Sequence, residues 1–225
     1  MPVNIAACQS ILSELNSKNV TLVAVSKTKP AEDITAMYAL GQRDFGENYV
    51  QELAEKQAIL PHDIRWHFIG HLQSNKVKYI APFVHLIHGV DSAKLLQEIN
   101  KQALKNNRVI DCLLQVHIAQ EETKFGLNEM ELNAIKAQLP GLPNVRVCGL
   151  MGMASLTDNR EKIKAEFLAL KKIFDAFNQW PVTIRSANTI LSMGMSGDYQ
   201  LAIACGSNMV RIGSLLFGTR NYGAV

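Results

Sequence analysis

A lysine stands at the end of the β-branched run VTLVAVSKTKP, residues 20–30. Val20, Leu22, Val23 and Val25 make that run apolar on both alternating faces, as in a strand buried within a parallel sheet. Setting an amine at the end of such a strand is costly unless it reaches water or has chemistry to do. Taken alone, Lys27 is ordinarily an amine that snorkels to solvent. The chemical alternative is an amine that forms an imine with a carbonyl ligand, which requires the neutral form. Burial and a nearby cation such as Lys29 would both push its pKa down from the usual value near 10.4.

Two stretches far along the chain complement that lysine. SMGMSGD (192–198) and VRIGSLLFG (210–218) supply the glycine and serine residues that let backbone N–H groups and a helix N-terminus approach an anion. Such turns are equally plain connectors between strand and helix. With a strand-end lysine on the opposite side of the same mouth, they describe a pocket for a phosphorylated aldehyde, and pyridoxal 5'-phosphate is such a ligand. Arg211 then invites a role. A guanidinium facing the pyridine nitrogen would keep the ring unprotonated and weaken its use as an electron sink. From pattern alone, an arginine paired with a carboxylate inside the fold fits as well.

The elements that must position these groups alternate strand and helix about eight times. Ile5, Cys8, Ile11, Leu12 and Leu15 predict an opening amphipathic helix, and Pro30 sits well in the first turn of the helix that follows the Val20 strand. Further strands are predicted at Asp44 to Gly46, RWHFIG, FVHLIHGV, VIDCLLQVHI (the longest candidate), VRVCGLMGM, TILSMGMS and MVRIGS. Asn128 and Glu131 have the spacing of a capping box, and Asp158 with Glu161 marks the start of a long helix striped by Ile163, Phe167, Leu170, Phe174 and Phe177. No Ser/Gly/Pro-rich linker interrupts the alternation. Eight such units in little over 200 residues fit a closed (β/α)8 TIM barrel spanning residues 1–225 as one domain, with an extra N-terminal helix. An open doubly wound sheet uses fewer strands, and no G-x-G-x-x-G follows the first strand. In a barrel, the residues just after each strand share one mouth. They are Lys27, Glu47, Asn48, His71, Asp91, the Thr123–Lys124 loop, Met151 to Ala154, Ser196–Gly197 and Arg211 to Ser214.

Composition narrows the classes. The chain has 225 residues, 48% of them hydrophobic and 19% charged, which is globular rather than disordered. A net charge of +3, dispersed along the sequence, argues against nucleic acid. Four widely spaced cysteines fit reduced thiols, and neither a signal peptide nor a run of about 18 apolar residues is present, so a cytoplasmic, membrane-free and monomeric protein is expected.

AVSKTKP, FGENYVQE, WHFIGHLQSNK, GLMGMA, LSMGMS and VRIG…FG, in order over residues 20–218, resemble the YggS/PROSC family of pyridoxal-phosphate homeostasis proteins. The resemblance implies a barrel of the alanine racemase N-terminal-domain type with pyridoxal 5'-phosphate held as a Schiff base on Lys27. It places Asn48 beside the ring, Arg211 at the ring nitrogen, and Ser196, Gly213 and Ser214 around the phosphate. It further implies a carrier or regulator of vitamin B6 and amino-acid balance, without established catalysis and with cofactor-dependent apoenzymes as partners. Gly89 and His117 stand where serine and asparagine are expected. Racemases of this barrel type take their opposing tyrosine from a second, β-rich domain. The chain ends at Val225, straight after the last barrel unit, so a binding protein is expected in place of an enzyme.

Rival readings remain. A racemase-like or other Schiff-base enzyme of low activity keeps Lys27 and changes its task. A class I aldolase barrel normally carries its lysine late in the barrel. A metal hydrolase built on His67 with His71, or His85 with His88, has no carboxylate or cysteine at ligand spacing. Lys124 is a candidate second acceptor for the aldehyde during release, against its plainer reading as a loop lysine.

Overall fold

Each alternating apolar run becomes one stave of a closed wall. The computed structural model describes residues 3–119, 126–183 and 185–218. Its strands are β1 (Thr21–Val25), β2 (Asp44–Glu47), β3 (Arg65–Phe68), β4 (Leu86–Val90), β5 (Ile110–Gln115), β6 (Val145–Met151), β7 (Ile190–Ser192) and β8 (Met209–Ile212). They close as a parallel barrel in sequence order. The closing seam pairs Thr21 with Met209 and Ala24 with Ile212. The fold is therefore the (β/α)8 barrel that the alternation predicts.

The helices are α1 (Ile5–Ser17), α2 (Ala31–Ala39), α3 (Val50–Ile59), α4 (Val77–Ile80), α5 (Ala93–Lys105), α6 (Glu129–Gln138), α7 (Arg160–Phe177), α8 (Tyr199–Ala204) and α9 (Ser214–Phe217). The extra N-terminal helix is α1, whose Cys8 and Leu15 are buried and whose Glu14 accepts from the Tyr199 hydroxyl at 2.9 Å. Most of the core lies between wall and helices, where Phe45, Phe68, Phe167 and Phe177 are wholly enclosed. Each such side chain contributes on the order of 1.5–3 kcal/mol by leaving water. A smaller cluster inside the wall comprises Val23, Leu86, Leu113, Cys148, Met151 and Met209.

Several expected boundaries move. The longest strand is β6 at 7 residues; β5 has 6, because its chain leaves the wall after Gln115. The cap of α7 is Asn159, whose side chain accepts from Lys162 N–H, so Asp158 stands outside the helix. Pro30 is the N-cap of α2 and not a first-turn residue. The Asn128–Glu131 capping box forms as expected. All four cysteines are free and buried, and among the described residues no helix is long and apolar enough to cross a membrane.

Candidate functional site

A cavity of about 310 Å³ opens where the strands end. Lys27, Asn48, Ser196, Arg211, Gly213 and Ser214 all line it, joined by Val25, Lys29, Ile69, Met153 and Met195. The six residues given roles in holding the cofactor are thus brought together. The relative placement differs from expectation in one respect. The turns after β7 and β8 lie beside Lys27, because closure makes β8 the hydrogen-bonded neighbour of β1. A Cβ added to Gly213 would lie 3.3 Å from Val25 Cβ.

Lys27 is held from both flanks. Ser26 donates its hydroxyl to Glu47 Oε1 at 2.6 Å, and its carbonyl accepts from Lys56 Nζ at 2.8 Å. On the other side Thr28 N–H donates to Glu52 Oε1 at 2.6 Å. Lys56 Nζ ties these points together by donating to Glu47 at 2.8 Å and Glu52 at 2.7 Å. Thr28 has φ of 62°, a left-handed backbone that a β-branched residue adopts only under constraint. The Glu47–Lys56–Glu52 cluster on α3 and β2 supplies that constraint. Burial pushes the Glu47 carboxyl above its ordinary range, with Lys56 pulling the other way. Glu47 therefore braces the wall behind the cavity and does not line it. His71 and Asp91 likewise bond to each other at 3.0 Å and lie outside the lining.

Asn48 presents a buried Oδ1 with no hydrogen-bond partner among the described residues. Its backbone is fixed by Gly70, where an added Cβ would meet Asn48 O at 2.5 Å. An enclosed acceptor without a donor costs about 1–3 kcal/mol, so the site fits a ligand that brings one.

At the inner end, Arg211 is 4% exposed. Nη1 donates to Ser192 O at 2.9 Å and Ser192 Oγ at 2.7 Å, and Nη2 to Gly152 O at 3.2 Å. Its donors reach neutral oxygens, not the carboxylate that the structural alternative supposed. Burial lowers its pKa to about 10, which leaves it a cation at neutral pH. On the outer side, Ser196 Oγ accepts from Gly213 N–H at 3.2 Å and so joins the turns after β7 and β8. Gly194 opens the first of these turns at φ of 96°. Lys29 Nζ donates to Phe217 O at 2.7 Å and ties the β1 turn to α9.

The rival metal hydrolase rested on His67 with His71 or on His85 with His88. His67 instead meets His88 at 2.9 Å and Asp44 at 3.0 Å. Asp44, His67 and His85 have ligand-type atoms within 4.8 Å of one another. Both Asp44 oxygens, however, already accept from Arg65, and that guanidinium holds the place a cation would take. Lys124 and Thr123 lie outside the described residues. Sequence reasoning missed the Lys56 clamp, whose one signal was the i, i+4 spacing of Glu52 and Lys56. It also missed the His67–His88 contact, signalled by one histidine in each of two neighbouring apolar strands.

Comparison with known proteins follows the same lines. The family profile described as alanine racemase, N-terminal domain, matches residues 4–221. The pyridoxal phosphate homeostasis protein of Aquifex aeolicus is 43% identical over 202 residues, covering 89% of this chain and 87% of its own. That of Haemophilus influenzae is 39% identical over 213 residues, covering 92% and 88%. The structure of PipY from Synechococcus elongatus with PLP bound is 38% identical with a TM-score of 0.83, covering 94% of this chain and 100% of that one. Alanine racemase from Bartonella henselae shares the fold at 16% identity and a TM-score of 0.70, over 95% of this chain and 62% of its own.

Proposed function

We propose, from the premise that the chain belongs to the alanine racemase N-terminal-domain family and within it to the pyridoxal phosphate homeostasis proteins, that it binds pyridoxal 5'-phosphate in the Lys27 cavity and serves to hold and supply that cofactor. The observation that carries this reading is a single cavity lined by Lys27, Arg211, Ser196, Gly213 and Ser214, with the enclosed acceptor of Asn48 at its side. When bound, the cofactor supplies an aldehyde for a covalent bond to an amine and a ring able to delocalise charge.

The chain's own residues divide that task. Lys27 Nζ is the covalent attachment point, fixed by the clamp on Ser26 and Thr28. Ser196, Gly213 and Ser214 hold the phosphate through hydroxyl and backbone N–H groups. Asn48 Oδ1 takes a hydrogen bond from the ligand's edge. Arg211, a cation at neutral pH, faces the ring nitrogen and keeps a proton off it. That arrangement favours storage over catalysis, because an unprotonated ring draws electrons weakly. Its relatives in Aquifex aeolicus and Haemophilus influenzae carry homeostasis names and not enzyme names. Partners on this reading are apoenzymes that need the cofactor.

Borohydride trapping with peptide mapping tests the site. The yellow protein is reduced in the presence of pyridoxal 5'-phosphate, and the label is expected on Lys27. A label on Lys29 or Lys124 redraws the site, and enzyme-like turnover in racemisation, transamination or decarboxylation overturns the storage role.

A further inference from the structure

The interior of a (β/α)8 barrel is ordinarily packed with branched apolar side chains. Here a line of polar groups crosses it. Arg211 Nη1 donates to Ser192 Oγ at 2.7 Å, Ser192 Oγ lies 3.2 Å from His88 Nδ1, His88 Nε2 lies 2.9 Å from His67 Nδ1, and His67 Nε2 lies 3.0 Å from Asp44 Oδ1. Ser192 and His88 are wholly buried, and His67 is 1% exposed. The line starts at the inner end of the cofactor cavity and finishes at the opposite mouth, where Asp44 is the first residue of β2 and is forked by Arg65.

With two neutral rings, every hydrogen bond in the line has one direction. Arg211 gives its N–H to the serine oxygen, and the serine hydroxyl gives its proton to His88 Nδ1. His88 must then carry its proton on Nε2 and donate to His67 Nδ1. His67 carries its proton on Nε2 and donates to the Asp44 carboxylate. The competing arrangement adds one proton, makes His67 an imidazolium and reverses both bonds between His67 and Ser192.

We propose that Asp44, acting through His67, His88 and Ser192, positions the Arg211 guanidinium from the far end of the barrel. Asp44 is the carboxylate end of a line whose cationic end is Arg211, and the line fixes which way that guanidinium faces in the cavity. These four are positioning residues; none of them lines the cavity. A buried polar line is not needed for stability, since apolar side chains of equal volume serve a core as well or better. Its presence beneath the one buried arginine of the cavity is accounted for by orientation. Burial first, with the Arg211 cation acting in the same direction, holds His88 well below its ordinary pKa. Asp44 is held well below its own range, because Arg65 and His67 outweigh the opposing effect of burial. The other titratable groups near the line are His85 ahead of β4, with Asp111 on β5 close to it, and Asp198, whose charge acts on Arg211.

The proposal deepens the cofactor reading, yet its first test needs no cofactor. Long-range ¹⁵N–¹H spectra of the ligand-free protein at pH 7.5 are expected to show His67 and His88 both neutral and both protonated on Nε2. An Nδ1–H tautomer at either ring, or an imidazolium at His67, overturns the relay. In Asp44→Asn and in His88→Gln, the Arg211 guanidinium resonances are expected to move, and the dissociation constant for pyridoxal 5'-phosphate to rise about five- to tenfold, the size of one ordinary hydrogen bond. The pH midpoint of the bound cofactor's absorbance change shifts with it, which a merely structural role would not produce. Arg65→Gln, which cuts the ion pair and keeps the relay, leaves that midpoint in place. Unmoved Arg211 resonances and a dissociation constant within twofold of the parent, in both relay variants, sink the idea. Should the parent fail to bind the cofactor, the function reading falls while the tautomers and guanidinium resonances still decide the relay.

Discussion

The two ends of the barrel treat polar groups in opposite ways. Where the strands begin, Arg65 forks onto Asp44 and Arg146 onto Asp111, each pair joined by two hydrogen bonds from the neighbouring strand. Where the strands finish, Glu47 Oε2 and Asn48 Oδ1 are enclosed without a partner among the described residues, and Thr28 sits in a strained backbone. The first end is mostly completed by the chain itself, Asn178 Oδ1 just past α7 being its enclosed acceptor without a partner among the described residues. The second sets the unmet Asn48 acceptor at a cavity and a β-branched residue, Thr28, in a left-handed backbone that asparagines alone adopt at the first end, as a site prepared for a ligand does.

Four substitutions break or sharpen that contrast, and the largest effect is expected at the clamp. Lys56→Met leaves the Glu47 carboxylate buried without its counter-charge, which costs on the order of 3–5 kcal/mol. The sign with pH follows from the raised Glu47 pKa. The folded carboxyl keeps its proton at pH values where the unfolded one has lost it, so folding weakens as pH rises above about 4.5. Urea unfolding of this variant should therefore show a larger loss at pH 8 than at pH 5; equal losses would remove Glu47 from the account. Gly70→Ala drives a methyl against the Asn48 carbonyl and is expected to cost about 1–3 kcal/mol, with weaker cofactor binding measured by absorbance titration.

Asn48→Ala separates the ends more sharply. Removing an unpaired acceptor is expected to leave the melting temperature of the ligand-free protein unchanged or raised, while cofactor affinity falls about five- to tenfold, one hydrogen bond's worth. A drop in both would mean that Asn48 is structural after all. The smallest effect is expected at the opposite end. Arg146→Ala breaks a pair whose guanidinium side chain is 56% exposed, so its loss should cost less than about 1 kcal/mol and leave cofactor binding untouched.

The site's lining was legible because the barrel rule turns strand ends into a list of neighbours. Lys27, Asn48, Ser196, Arg211, Gly213 and Ser214 each follow or end a strand, and all of them line the one cavity. What supports that lining was not legible. Lys56 reads as one more polar helix residue until α3 is laid against β2, and it is then 7% exposed. His67 and His88 stand 21 residues apart in chains of ordinary strand type. Nothing in the spacing tells whether the two histidines point inward at the same depth, since that depends on register across the β3–β4 pair.

By itself the sequence determined the alternation of strand and helix, the caps of α6, and which side chains crowd one mouth, because these follow from local periodicity and chain order. Only the tertiary structure decided that the last two turns sit beside Lys27 and not across from it, and that Asp44 reaches Arg211 through two histidines. Closure is the physical reason. Hydrogen bonds between β1 and β8 join residues nearly the whole chain apart, and the inward side chains that meet are set by stagger around the ring, which no local pattern encodes.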